Sequence, residues 1–341
     1  MKKNILTIGG GVAGIEASNI LAGMGYSVSI VEKEVTLGGK VNQWHKLFPD
    51  LRDASDINDY LKKRVKQPEI MVFTNTEITS VKKTDDGFYA KSNRAVGFEA
   101  HAILLATGFD VFKAERKEEY GYTIYDNVIT SVDLEKQFKK GGAIHTTGGK
   151  TPKRVAFIHC VGSRDAKTGN HYCSKVCCVT GVKQAIELSH LLPDAEIFCF
   201  YMDLRMYGLE FEELYKSAQE KHNIQFIRGR LSEASENIDN TILIKCEDTL
   251  SGRPLKMNVD LVVLLVGMEA GSGTHAAGEL CKLNFQENNF LACSDIHLGR
   301  NCSSREGIFL AGSCIGPMSI PETLDNARSA ALEIHKFLSK N

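Results

Sequence analysis

The stretch from Lys3 to Glu32 constrains the fold more than any other. Lys3–Ile8 is a short apolar run that enters Gly9-Gly10-Gly11-Val12-Ala13-Gly14. A segment of helical periodicity follows to about Met24, with Ile15, Ile20 and Leu21 on its inner side. A second apolar run, Ser27–Val31, ends at Glu32, with Lys33 next. Strand, glycine turn, helix, strand and terminal acid make a complete βαβ unit. Its glycines allow a tight turn, close approach of backbone to a pyrophosphate, and close helix–strand packing. The helix N-terminus directs amide donors at phosphate. The acid closing the second strand stands where a ribose is held.

Three more turns follow in order. Leu37-Gly38-Gly39-Lys40 comes shortly after Glu32, Ile103–Ala106 runs into Ala106-Thr107-Gly108, and Ile308–Ala311 runs into Gly312-Ser313. A final helix is expected from about Pro321 to Phe337, just after Ile320. This succession resembles the two-dinucleotide-binding flavoproteins. The resemblance implies an α/β, thioredoxin reductase-like fold, an FAD domain with a nested second Rossmann-like domain. It also implies FAD as cofactor, held by Gly9, Gly11, Val12, Ala13, Gly14, Glu32, Lys33, Gly39, Lys40, Ala106, Thr107, Gly108, Gly312, Ser313 and Ile320. Ser313 departs from the aspartate that usually follows the last glycine.

The glycine-rich stretch Gly141 to Lys150 reads as a domain boundary. We therefore expect a first part of the FAD domain with its connector at 1–150, a second α/β unit at 151–268, and a return to the FAD domain at 269–341. In the second unit, Arg154–His159 and Ala195–Tyr201 read as strands flanking a helix, Thr180–Leu191. The turn that would grip a second nucleotide is Cys160-Val161-Gly162-Ser163, with a single glycine. NAD(H) is therefore weighed as a second cofactor and disfavoured. Asp203 and Arg205 stand where a ribose or its phosphate would lie, and serve equally well as surface polar residues.

With 341 residues, the chain is long enough for about two domains. The formal net charge of −1 gives no reason to expect nucleic acid or an anionic membrane surface as a partner. No apolar run reaches the ~18 residues a spanning helix needs, and no apolar leader precedes the first strand. The expected location is cytoplasmic. In a reducing compartment ten cysteines are metal ligands, redox centres or small core residues rather than structural disulfides.

Four of them form Cys160-x12-Cys173-x3-Cys177-Cys178. A dithiol site fits poorly, because no C-x-x-C is present. Zinc accepts thiolates, but the long loop and vicinal pair differ from its paired spacing. An iron–sulfur cluster takes thiolates from a strand end and a helix start, with the helix dipole favouring the ionised form. Lys167, Lys175 and Arg164 would offset its charge. Adjacent helical residues point apart, so Cys177 and Cys178 both reach one metal only if the chain turns there. This leaves one of the four open as a ligand. His159 and His171 are less favoured ligands.

The motifs CVGSRD, YCSKVCC, FCFYMDLRMYG, ATGFDVF and Ile320-Pro321-Glu322-Thr323 resemble the A-subunit family of heterodisulfide reductase across essentially the whole chain. The resemblance implies a [4Fe-4S] cluster on Cys160, Cys173, Cys177 and Cys178, B-like and C-like partner subunits, and a homodimer. The stretch FPDLRDASDI lacks the cysteines that long members carry, and no ferredoxin-like insert occurs. The chain thus looks like the short A-type member of the heterodisulfide reductase-like complexes of sulfur oxidisers. The expected role is electron transfer between FAD and a cluster, with sulfur chemistry on the partners and no catalytic residue assigned. A free-standing NAD(P)H-dependent flavin oxidoreductase is the alternative.

Overall fold

The structure is a computed structural model and describes residues 2–340. The chain forms two compact units, 1–42, 55–110 and 269–341 in the first and 43–54 and 111–268 in the second.

The first unit is built on a seven-stranded sheet. Its order is Cys293–Asp295, Gly299–Ser303, Ile308–Leu310, Ala102–Leu105, Asn4–Ile8, Ser27–Val31 and Ile70–Phe73. The last five of these run parallel. Parallel strands are covered on both faces, which explains their continuous apolar runs. Ile5, Val28, Ile30, Leu104 and Phe309 pack on one face under helices Val12–Gly23 and Ile320–Lys340. The two helices meet through Ala13, Ala17, Ala327 and Ala331, whose small side chains let the backbones approach. Leu6, Val31, Ile103, Leu105 and Leu310 pack on the other face. There they meet a three-stranded antiparallel meander (Ile78–Thr84, Gly87–Ser92, Gly97–Ala100) and helix Ser272–Cys281. The last helix buries Thr323, Ala327, Ala330, Ala331, Ile334 and Leu338, a stripe at helical spacing.

The second unit repeats the plan. Five parallel strands lie in the order Gln225–Arg228, Glu196–Tyr201, Arg154–Val161, Leu261–Val266, Val128–Thr130. Helices Ser131–Lys140 and Cys177–Leu191 cover one face through Leu134, Phe138, Val182 and Ile186 against Phe157 and Val263. A second antiparallel meander covers the other, with Ile242 and Ile244 against Ala156 and Leu264.

One expectation differs from this. The segment from 111 to 150 clusters with the second unit rather than the first, because Val128–Thr130 is a strand of the second sheet, Val263 level with Ile129. The boundary therefore falls at Asp110 and not at 150. A three-residue strand carries too little periodicity to be read from sequence. The apolar stretch Val259–Val266 is the end of Arg253–Val259 and the whole of Leu261–Val266, which lie in different sheets. No helix among the described residues is long and apolar enough to cross a membrane.

Candidate functional site

In the first unit, three parallel strands end at one level. Ile8 is in register with Leu105, and Leu105 with Leu310. The turns that leave them, Gly9–Gly14, Ala106–Gly108 and Gly312–Ser313, therefore converge at the C-terminal edge of the sheet, where open α/β sheets bind ligands. Gly9 has φ +110°, and a side chain there would overlap the Ala106 carbonyl. A Cβ on Gly39 would lie 3.2 Å from the Gly11 Cα, so the second glycine pair faces the first. A Cβ on Gly312 would lie 2.7 Å from the Ala13 Cβ. Val12 opens the helix behind Gly11, and Gly14 packs against the Gly9 carbonyl.

Glu32 is buried at the end of its strand, and the Gly10 N–H donates to its Oε2 at 2.7 Å and the Glu34 N–H to its Oε1 at 2.9 Å. The Lys40 Nζ lies 3.5 Å from the Asp110 Oδ1. Burial opposes ionisation of Asp110, but donors on Ser272 and the charge of Lys40 outweigh it and hold the carboxyl below its usual range. Lys33 is exposed, Ser313 buried and Ile320 half-buried at the start of the last helix. Two residues outside any glycine motif complete the floor. The hydroxyls of Thr274 and Thr107 are 2.8 Å apart, Thr274 also donates to the Gly108 carbonyl, and the Asn326 Oδ1 accepts from the Gly312 N–H. Nothing in their sequence surroundings marks them.

In the second unit, strand Arg154–Val161 carries an irregularity that sequence reading missed. Ile158 is level with Leu264 but Val161 with Val266, so one extra residue sits in the strand. Cys160 there has φ +60°. Alternation puts Phe157 and His159 on the helix-covered face and would put Cys160 on the other. The bulge returns Cys160 to the helix face, as bulges re-aim side chains. Past Gly162 the chain makes a tight hairpin in which Asp165 and Asn170 exchange backbone hydrogen bonds and the Arg164 N–H donates to the Tyr172 carbonyl. Lys175, at φ +69°, turns the chain into helix Cys177–Leu191.

The result brings three of the four motif cysteines together. Cys177 interacts with both Cys160 and Cys178, and all three are at least nine-tenths buried. The chain turns just before Cys177, and the two thiols of the vicinal pair interact with each other. Cys173 stays on the loop, half-buried, where its sulfur accepts the Lys175 N–H at 3.3 Å. The Arg164 guanidinium feels the charges of both Cys160 and Cys173. The Cys177 thiol hydrogen bonds to its neighbours and is itself raised well above the usual range. The same bond pulls Cys160 down to about 7 and Cys178 to about 4, against burial, with His159 helping Cys178. His171 is exposed on the loop. No group of three or more His, Cys, Asp or Glu side chains among the described residues is arranged to hold a metal ion as it stands.

The turn where a second nucleotide would be gripped is filled by the chain itself. Gly162 has φ +71° and lies against the Phe112 ring. The Asn170 Nδ2 donates to the Gly162 carbonyl at 2.9 Å. Ser163 is fully buried, 3.0 Å from the Ser174 hydroxyl, which accepts the Met268 N–H at 2.8 Å. Asp203 is engaged by Arg164 at 2.7 Å and by Arg228 at 3.4 Å.

Two buried ionic clusters hold this architecture. Lys183, on the cysteine helix, pairs with Glu135 and with Glu187 at 2.8 Å, and the His45 Nδ1 lies 2.6 Å from the other Glu187 oxygen. His45 is thus a hydrogen-bonded residue of the second unit. At the loop, Asp165 pairs with Lys117 and Arg230, each at 2.8 Å.

The fold and the glycine-lined edge have the layout of two-dinucleotide-binding flavoproteins. Residues 1–140 match the pyridine nucleotide-disulphide oxidoreductase family. The fold is that of thioredoxin reductases. The Lactococcus lactis enzyme superposes with TM-score 0.68 at 15% identity, covering all of both chains. The T. acidophilum thioredoxin reductase gives 0.66 at 17% identity, covering 98% of this chain and 99% of that one. In sequence the chain is similar to the A subunits of heterodisulfide reductases. It is 32% identical over 96% of its length to one of the iron-sulfur A subunits of CoB–CoM heterodisulfide reductase in Methanopyrus kandleri. It is 31% identical over the same share to the A subunit of the H2:CoB-CoM heterodisulfide,ferredoxin reductase of Methanothermobacter marburgensis. It spans 63% and 62% of those proteins. The aligned span of 414 positions exceeds the chain's own 341 residues, so the relative carries stretches within it that this chain lacks.

Proposed function

We propose that the chain is an FAD- and [4Fe-4S]-containing electron-transfer subunit of a heterodisulfide reductase-like complex, working in cytoplasmic sulfur oxidation with B-like and C-like partners. The observation that carries this is the bulge at Cys160, which sets that thiol against Cys177 and Cys178 at the start of a helix.

The residues of the first unit fit FAD. The glycines at 9, 11, 39 and 312 leave a cradle that any side chain would fill, and the Glu32 carboxylate sits at the strand end where a ribose is read. Gly11, Val12 and Ala13 would direct helix-terminal amides at the pyrophosphate. Gly14 keeps helix and strand close. Lys33 and Lys40 add positive charge at the same edge. Ala106, Thr107 and Gly108 would bound the site on one side, and Gly312, Ser313 and Ile320 on the other.

The donor set of the second unit fits a cluster in kind. It consists of thiols alone, two of them pulled toward the ionised form that binds iron, and buried N–H groups around them lack acceptors among the described residues. Cys160, Cys177 and Cys178 would ligate after their side chains readjust around the metal, and Cys173 would join by a movement of its loop. Bound together, FAD would exchange electron pairs and the cluster single electrons. The protein's part is to bury the thiols, exclude water and supply Arg164 against their charge.

The filled turn at Gly162 supports a donor or acceptor other than NAD(H) gripped in the standard way, and so counts against a free-standing NAD(P)H oxidoreductase. Anaerobic reconstitution tests the reading. The expected product carries FAD with about four iron and four sulfide per chain. Protein that retains FAD and takes up no iron contradicts it.

A further inference from the structure

The cysteine site contains donors with nowhere to donate. His159 is 6% exposed, and neither ring nitrogen has a hydrogen-bond partner among the described residues. Buried polar groups are almost always satisfied, so such an orphan needs an explanation. The ring lies on the helix-covered face beside Cys160. It is wedged against the cysteine helix at Gly181, where a Cβ would stand 3.0 Å from its Cε1 and 3.1 Å from its Nε2. It approaches the sulfurs of Cys178 and Cys199 without a well-formed bond to either.

Arg164 repeats the pattern from the loop. One nitrogen of its guanidinium, Nη2, donates to Asp203 at 2.7 Å, while Nη1 is buried without a partner among the described residues. Its φ of +54° shows that the loop is bent to place it. Cys160 and Cys173 are the sulfurs whose charge it feels.

Sulfur ligands and bridging sulfides accept hydrogen bonds, and such bonds raise cluster potentials by favouring the more negative reduced form. We propose that His159 and Arg164 are positioning residues that donate N–H···S hydrogen bonds to the cluster, His159 from the strand and Arg164 from the loop, and set its reduction potential without ligating iron. This rests on reading the cysteine motif as a cluster site. His159 adjoins Cys160 and Arg164 follows shortly after it, yet neither belongs to the ligand pattern itself.

The test uses the full chain, reconstituted anaerobically, as wild type, His159→Leu and His159→Gln. EPR-monitored redox titration should give a more negative cluster potential for His159→Leu, largely restored by His159→Gln, which keeps an N–H donor. In wild-type protein labelled with ¹⁵N-histidine, ENDOR of the reduced cluster should show a weak nitrogen coupling with an exchangeable proton. This second measurement decides the matter if His159→Leu fails to assemble. Equal potentials in wild type and His159→Leu overturn the proposal, as does absence of any histidine coupling. A strong coupling typical of direct ligation also overturns it. Each of those outcomes leaves the cluster reading intact, whereas wild-type protein without iron overturns that reading and this proposal together.

Discussion

Phe112 occupies the space into which a side chain on Gly162 would project: its ring carbons are the nearest atoms to a Cβ built there, and they overlap it. Gly162 is the one glycine left in the turn where relatives with two nucleotide sites bring pyrophosphate close. Its freedom from a side chain admits an aromatic ring and not a phosphate. We therefore expect NADH and NADPH, mixed with the FAD-loaded protein in a stopped-flow spectrometer, to leave the flavin absorbance unchanged on the catalytic timescale. Rapid bleaching would show that a nicotinamide reaches the flavin by another grip.

The same relationship makes Gly162→Ala costly. The methyl group meets Phe112, and φ +71° disfavours any L side chain. The expected loss is about 2–4 kcal/mol of stability, read from urea unfolding. A loss below about 0.5 kcal/mol would mean that the turn yields easily.

Glu32 ties two turns together by accepting the Gly10 and Glu34 N–H groups. Glu32→Ala removes those acceptors together with the group proposed to hold the ribose. FAD retained through gel filtration should fall by about tenfold, the effect of losing roughly one charged hydrogen bond. Full retention would place the ribose elsewhere.

Lys183 stands between Glu135 and Glu187, all three buried. Lys183→Met leaves two carboxylates without their cation, and the expected cost is about 3–5 kcal/mol. Lys183→Met combined with Glu135→Gln and Glu187→Gln should recover a large part of it, because the cost comes from unpaired charge. Equal instability of the triple variant would assign the cost to packing.

Asp165 anchors the loop that carries Cys173. Burial opposes its ionisation, but Lys117 and Arg230 outweigh burial and hold its carboxyl below the usual range. A lowered folded-state value means the unfolded chain takes up the proton first as acid is added. Its contribution is therefore fully present above the ordinary carboxylate value of about 3.9 and is lost as pH falls through the lowered one. Asp165→Asn should cost about 3 kcal/mol at neutral pH. The gap to wild type should narrow below about pH 4. A gap independent of pH would deny the ion pairs a role.

Much of this was legible in the residues. Gly9–Gly14, Ser27–Val31 and Glu32 announced the first unit because a phosphate turn needs glycine at fixed places and a buried parallel strand is apolar throughout. The C-terminal helix, expected from about Pro321 to Phe337, runs Ile320–Lys340. Val128–Thr130 was not legible, since three residues show no period and only the sheet beside them selects a strand. The bulge at Cys160 was also hidden. A left-handed cysteine has no sequence mark, and the alternation of Phe157 and His159 gave no warning that Cys160 would share their face. The vicinal cysteines were an open difficulty in sequence, and the left-handed turn at Lys175 just before them emerged only with the fold.

The most direct test of the central claim is the EPR spectrum of the anaerobically reconstituted, dithionite-reduced protein, taken for wild type and for Cys177→Ser with flavin counted in both. The expected result is a reduced [4Fe-4S] signal in wild type, its loss or more than about tenfold weakening in Cys177→Ser, and equal FAD. A wild-type protein with FAD and no cluster signal, or a signal indifferent to Cys177, would contradict it.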